Sequence, residues 1–136
     1  MTDRRHETSI ELEVPFHDCD PLGVVWHGHY YKYMELARCK MLAPLGLDGD
    51  ELIESGHLMY VIESKCRYAQ PLKYRDRVRV TAWIKDWDNR IMIAFEIHNL
   101  TAGVRAARGH TALATTDLDG KLLLETPRAL LDRLHR

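Results

Sequence analysis

A change of period constrains this chain more than any other feature. From His29 the apolar residues Tyr30, Tyr33, Met34, Ala37 and Met41 recur at three- and four-residue steps, which gives a helix one apolar face. Ala, Leu, Met, Lys and Glu supply helix propensity, and Pro44 and Gly46 close the segment. Elsewhere the dominant period is two. Thr8 to Phe16 alternates, with Ile10, Leu12 and Val14 opposite Ser9, Glu11 and Glu13. After a loop around Asp48 to Gly56, strands are predicted over His57 to Ala69, Arg77 to Lys85 and Ile91 to Leu100, then from Val104 toward Asp117. Gln70-Pro71, Asp88-Asn89 and Thr101-Ala102-Gly103 supply the turns between them. In the last strand Val104, Ala106, Arg108, His110, Ala112 and Ala114 share one side. Lys121 to Glu125 reads as a short returning strand, and Pro127 opens a final helix with Leu130, Leu131 and Leu134.

One strand, one long helix and then a run of strands in hairpins is an α+β order with an antiparallel sheet. A single helix covers only one face of such a sheet, so a free edge or face is left for a partner and a homo-oligomer is expected. The 136 residues suit one compact domain, 1–136, and 46% hydrophobic with 29% charged residues argues against disorder. Cys19, Cys39 and Cys66 are odd in number and widely spaced, which favours reduced thiols and a cytoplasmic protein. The N-terminal MTDRRHETSIELEV has no apolar core of a signal peptide, and no run is long enough to span a membrane. A net charge of −1 argues against a dedicated nucleic-acid binder. The positive charge is nevertheless uneven: Lys65, Arg67, Lys73, Arg75, Arg77, Arg79 and Lys85 form a run, followed by Arg105 and Arg108. Such a run is either a solvated strand face or a patch that meets an anionic handle.

The chemistry concentrates in FHDCDPLGVVWHGHYYKYMELAR, from Phe16 to Arg38. His17, Asp18, Cys19, Asp20, His27 and His29 are all able metal ligands, but their spacing does not make them converge and no second cluster completes a tetrahedral site. Cys19 has histidines in sequence range for a Cys–His pair, yet nothing marks an activated thiol. A carboxylate reading uses the geometry better. Asp20-Pro21 holds an acid on a rigid turn beside a helix N-terminus, whose unpaired N–H groups and partial positive charge would stabilise an oxyanion. Gly23 and Gly28 permit close backbone approach, and an aspartate there could attack a carbonyl or activate a water. The competing reading makes Asp20 a turn residue and the histidines helix caps.

The stretch DCDPLGVVWHGHYYKYMELAR resembles the signature of the hotdog-fold acyl-CoA thioesterases of the 4-hydroxybenzoyl-CoA thioesterase and YbgC-like family. The match in element order runs through nearly the whole chain. The resemblance implies a hotdog fold, a long antiparallel sheet wrapped around one central helix. It implies hydrolysis of acyl-CoA or acyl carrier protein, with no metal and no cofactor beyond the CoA or phosphopantetheine of the substrate. Asp20 would be the nucleophile or general base, and a backbone N–H near His27 would polarise the thioester carbonyl. The His27 side chain would orient water or the acyl group, while Asp18, Gly28, His29 and Tyr30 support the loop and helix start. His29 departs from the family pattern, which has asparagine there. Homodimers or homotetramers are implied, with CoA on basic surface residues such as Lys65, Arg67 and Arg75. Tyr60, with Met34, Met41 and Met59, is a candidate for an adaptable acyl pocket, against the competing explanation of plain core packing. A hotdog scaffold that binds acyl-CoA or an acyl carrier without hydrolysis is the alternative. A dehydratase on the same fold would need a His/Asp helix motif that Tyr30 to Met41 lacks.

Overall fold

A computed structural model describes residues 4–135 of the chain. Strand β1 (Arg5–Glu13) leads through a 3-10 turn (Phe16–Asp18) and a polar loop into helix α1 (His29–Leu42). A second 3-10 turn (Ala43–Leu45) and a short helix α2 (Gly49–Glu54) precede β2 (His57–Tyr68), β3 (Arg77–Asp86), β4 (Ile91–Asn99) and β5 (Val104–Asp117), and α3 (Arg128–Leu134) follows. The strands form one antiparallel five-stranded sheet in the order β1-β3-β4-β5-β2.

The alternation seen in the sequence sets the faces. Val78, Val80, Ala82 and Ile84 of β3 and Ile91, Ile93, Phe95 and Ile97 of β4 are almost fully buried. They pack under Tyr33, Met34, Ala37 and Met41 of α1, the positions predicted for its apolar stripe. The predicted fold is therefore present: a long antiparallel sheet curved around one central helix. Arg79, Trp83 and Lys85 of β3 alternate with those buried positions and face the helix-free side. The two edges differ in character. Among the described residues β2 pairs only with β5, and it exposes Tyr60, Val61 and Ile62, each about half accessible.

Three local expectations need correction. The loop around Asp48 to Gly56 contains α2, a single turn and a half anchored by buried Leu52. The returning strand at Lys121 to Glu125 reduces to one bridge, Leu122 with Thr116. In β5 the register shifts opposite Ile97 and His98, so Ala106 and Ala107 are both buried and the single face expected from Val104 to Ala114 is broken. No helix among the described residues is long and apolar enough to cross a membrane.

Candidate active site

The loop before α1 folds back on itself as a small hairpin. Cys19 bridges Val25, the Trp26 N–H donates to the Asp18 carbonyl (3.0 Å), and the Asp20 N–H donates to the Val24 carbonyl (2.8 Å). Asp20, Pro21, Leu22 and Gly23 make the tip, closed by a bond from the Gly23 N–H to the Asp20 carbonyl (2.9 Å). Gly23 takes the left-handed φ of +81° that this turn requires. Asp20 Oδ1 accepts the Leu22 N–H at 2.9 Å, an Asx turn that fixes the carboxylate and leaves Oδ2 without a partner among the described residues. The hairpin is tied to the β2–β3 connection by the Val25 N–H, which donates to the Leu72 carbonyl (2.8 Å). Cys19 Sγ lies against the Pro15 carbonyl at 3.9 Å rather than against a histidine.

The two aspartates have different surroundings. Asp18 is 1% exposed. Its Oδ1 accepts from Lys32 Nζ (2.6 Å) and its Oδ2 from Tyr33 Oη (2.7 Å). His17 and His29 place Nε2 3.7 and 3.8 Å from the same carboxylate. Burial pushes the Asp18 carboxyl up, but the hydrogen bonds from Lys32 and Tyr33 and the lysine charge outweigh it, so its pKa lies below the ordinary carboxylate value. Burial first, and then the bond to Asp18, raise the Tyr33 phenol well above its usual range. Asp18 thus stitches the loop to α1, while Asp20 keeps a free oxygen at the turn.

At the helix entrance Gly28 is the N-cap and no side chain caps it. The His29 and Tyr30 N–H groups donate to the Trp26 and His27 carbonyls, but among the described residues those of His27 and Gly28 donate to nothing. Two unused donors therefore open where the α1 dipole is positive. A Cβ on Gly28 would lie 2.3 Å from the Trp26 ring, so this position accepts only glycine unless Trp26 moves. The His27 ring is exposed, between Trp26 (5.2 Å) and Tyr68 (6.2 Å). His29, in the place of the family asparagine, sits edge-on to Trp26 (5.3 Å) as well as beside Asp18. Tyr30 is buried, and its Oη accepts the Leu72 N–H at 3.2 Å. A cavity of about 280 Å³ lies here, lined by His27, Tyr30, Tyr68, Val24 and Pro71 among others; Asp20 is outside it. Tyr68 carried no sequence signal, because it stands 41 residues from the His27 carbonyl that it bonds.

The basic run divides. Lys65, Arg67, Lys85, Arg105 and Arg108 line a groove of about 900 Å³ on the helix-free face, around Trp83, and Arg4 and Arg90 join them from outside the run. Arg105 pairs with Glu96 (3.5 Å), whereas among the described residues Arg67, Lys85 and Arg108 form no ion pair. Arg77 and Arg79 are each 3.7 Å from Glu11. Arg75 lies apart from the groove, on the β2–β3 connection, with a left-handed φ of +71° and its guanidinium 5.0 Å from the Tyr74 ring. Tyr60 is 52% exposed on the edge strand. Among the described residues no group of three or more His, Cys, Asp or Glu side chains is placed to hold a metal ion.

Known proteins place this architecture. The family model of the Thioesterase-like superfamily matches residues 14–134. The Bacillus subtilis protein YneP, whose name proposes acyl-CoA thioesterase activity, is 28% identical over 95 residues, 69% of this chain and 69% of its own. The 4-hydroxybenzoyl-CoA thioesterase of Pseudomonas sp. strain CBS-3 is 22% identical over 88 residues, 62% of each chain. Among solved structures, the DHNA-CoA thioesterase of Staphylococcus aureus superposes with a TM-score of 0.78 at 26% identity, covering 87% of this chain and 80% of that one. With its hotdog sheet, central helix and a family match that includes the Asp20 loop, this chain belongs to the Thioesterase-like superfamily.

Proposed function

We propose that the protein hydrolyses acyl thioesters at the entrance of α1, with Asp20 as the catalytic carboxylate. The observation that carries this reading is the pair of unused N–H groups on His27 and Gly28, preceded by a turn that presents Asp20 with one free oxygen. The thioester carbonyl oxygen docks on those donors, which strengthen as negative charge develops on it. Asp20 then attacks the carbonyl carbon, or takes a proton from a water that does. The C–S bond breaks and the thiolate leaves; in the first route water then hydrolyses the acyl–Asp20 anhydride, and in the second the water oxygen is already in the acid and Asp20 gives up its proton to the thiolate or solvent. His27 stands beside the donors with its ring exposed, between Trp26 and Tyr68, which supports a role in orienting water or the acyl group. The reaction needs no metal or cofactor, and free thiols on all three cysteines fit a cytoplasmic setting. Thiol release and binding heat measured together, during titration with acyl-CoA, test the reading. Release supports it; tight binding with no release would support a non-hydrolytic carrier-binding scaffold instead.

The groove cations are assigned to the anionic handle, either the phosphates of CoA or an acidic carrier protein. Arg67→Glu with Arg108→Glu is expected to raise KM for acyl-CoA about tenfold with little change in kcat. If CoA is the carrier, inhibition by free CoA weakens in parallel. An unchanged KM would remove these residues from the substrate path.

Strand β2 is the expected seam of a homodimer, or of one interface in a tetramer, because its outer edge has no strand partner among the described residues and exposes Tyr60, Val61 and Ile62. Val61→Asp with Ile62→Asp should lower the mass measured by light scattering to that of a single chain. A wild-type protein that is already monomeric at assay concentration would contradict the assignment.

A further inference from the structure

The hydroxyl of Tyr68, on the last residue of β2, donates to the His27 carbonyl at 2.9 Å. That carbonyl and the Gly28 N–H belong to one planar peptide and point in opposite directions, so whatever holds the first aims the second. The carbonyl's other partner is the Tyr30 N–H, at a long 3.3 Å. Gly28 has no Cβ, and no side chain caps the helix at this peptide. Tyr68 itself is well held. Its backbone is paired with Ala107, and its ring meets Tyr30 edge-on at 4.8 Å and 80°. Tyr30 is fixed in turn through its hydroxyl to the Leu72 N–H. An accepted hydrogen bond also polarises an amide, making its N–H a stronger donor.

We propose that Tyr68 is a positioning residue for the thioester reaction, its hydroxyl orienting the His27–Gly28 peptide so that the Gly28 N–H stays aimed at the substrate carbonyl oxygen. The inference rests on the proposed docking of the thioester at the α1 entrance and adds a residue that the loop signature does not contain. Burial, and then the neighbouring Cys66 thiol, raise the Tyr68 phenol above its usual range, so it remains a donor across the working pH.

Tyr68→Phe is the test, since it keeps the ring contacts and removes one oxygen. The expected result is a fall of roughly tenfold in kcat, less than loss of a whole oxyanion donor would cost, with KM nearly constant and melting temperature unchanged. The Gly28 amide proton should move upfield in the ¹⁵N–¹H spectrum of the variant, as its peptide carbonyl loses a partner. A kcat within about twofold of wild type, or a loss confined to KM, would overturn the proposal. So would an unmoved Gly28 resonance, which is read without substrate. If wild type itself released no thiol, the reading of the site would fail, and the amide shift would still decide whether Tyr68 holds this peptide.

Discussion

Asp20→Asn is expected to lower kcat on acyl-CoA by about 10³-fold while leaving the fold intact, because a positioned acid–base or nucleophilic group contributes on that order. The substitution isolates the chemistry. Asparagine retains an oxygen for the Leu22 N–H, so the Asx turn at Asp20 persists. Pro21 and the left-handed Gly23 hold the rest of the tip. What disappears is the negative charge and the basic lone pair on the oxygen that no group among the described residues uses. Asp20→Ala should be at least as inactive and slightly less stable, as it also loses the turn bond. The check is steady-state thiol release, with the circular dichroism of each variant compared. Retention of more than about a tenth of wild-type kcat in Asp20→Asn would exclude the carboxylate from the reacting atoms.

Asp18→Ala should damage the other property, stability. Its carboxylate is the acceptor for the buried Tyr33 hydroxyl and for Lys32. Removing it strands a buried phenol beside a half-exposed ammonium, at a cost of about 3 kcal/mol. For a domain of this size that corresponds to roughly 10 °C in melting temperature. The pH dependence has a definite sign. The folded pKa of Asp18 lies below the ordinary carboxylate value, so its contribution is complete above about pH 4 and declines as pH falls through the folded value. The gap in melting temperature between wild type and Asp18→Ala should therefore be constant near neutrality and shrink in strong acid. A variant that melts within 2 °C or so of wild type at pH 7 would mean that the network is not holding the loop.

The architecture was legible because its signals are long. Val78 to Ile84 and Ile91 to Ile97 each alternate over several residues, and the α1 stripe runs from Tyr30 to Met41; all of these positions pack into one core. Short elements were not legible. The six residues of α2 contain one buried side chain, Leu52, too few to show a period. Around Leu122 the pairing amounts to one bridge to Thr116 with flanking backbone bonds from Leu123 to Thr115 and from Asp117 to Lys121, too short a segment to show a strand period. The site was legible in part. Asp18 and Asp20 stand two residues apart in the same polar stretch, and only the fold separates a buried partner of Tyr33 from a carboxylate with a free oxygen. The basic groove depends on strand register. Sequence order groups Arg75 with Arg67, whereas the sheet sets Arg67 opposite Arg108 and brings Arg4 and Arg90 in from distant positions. Tyr68 shows the same limit, since no local pattern links the end of an edge strand to a carbonyl at a helix entrance.

The most direct test is thiol release from a panel of aromatic, short-, medium- and long-chain acyl-CoAs, with wild type and Asp20→Ala side by side in EDTA. The account predicts release by wild type from at least one acyl class, unaffected by the chelator and abolished in the variant. Equal release by both proteins, or release that EDTA removes, would contradict it.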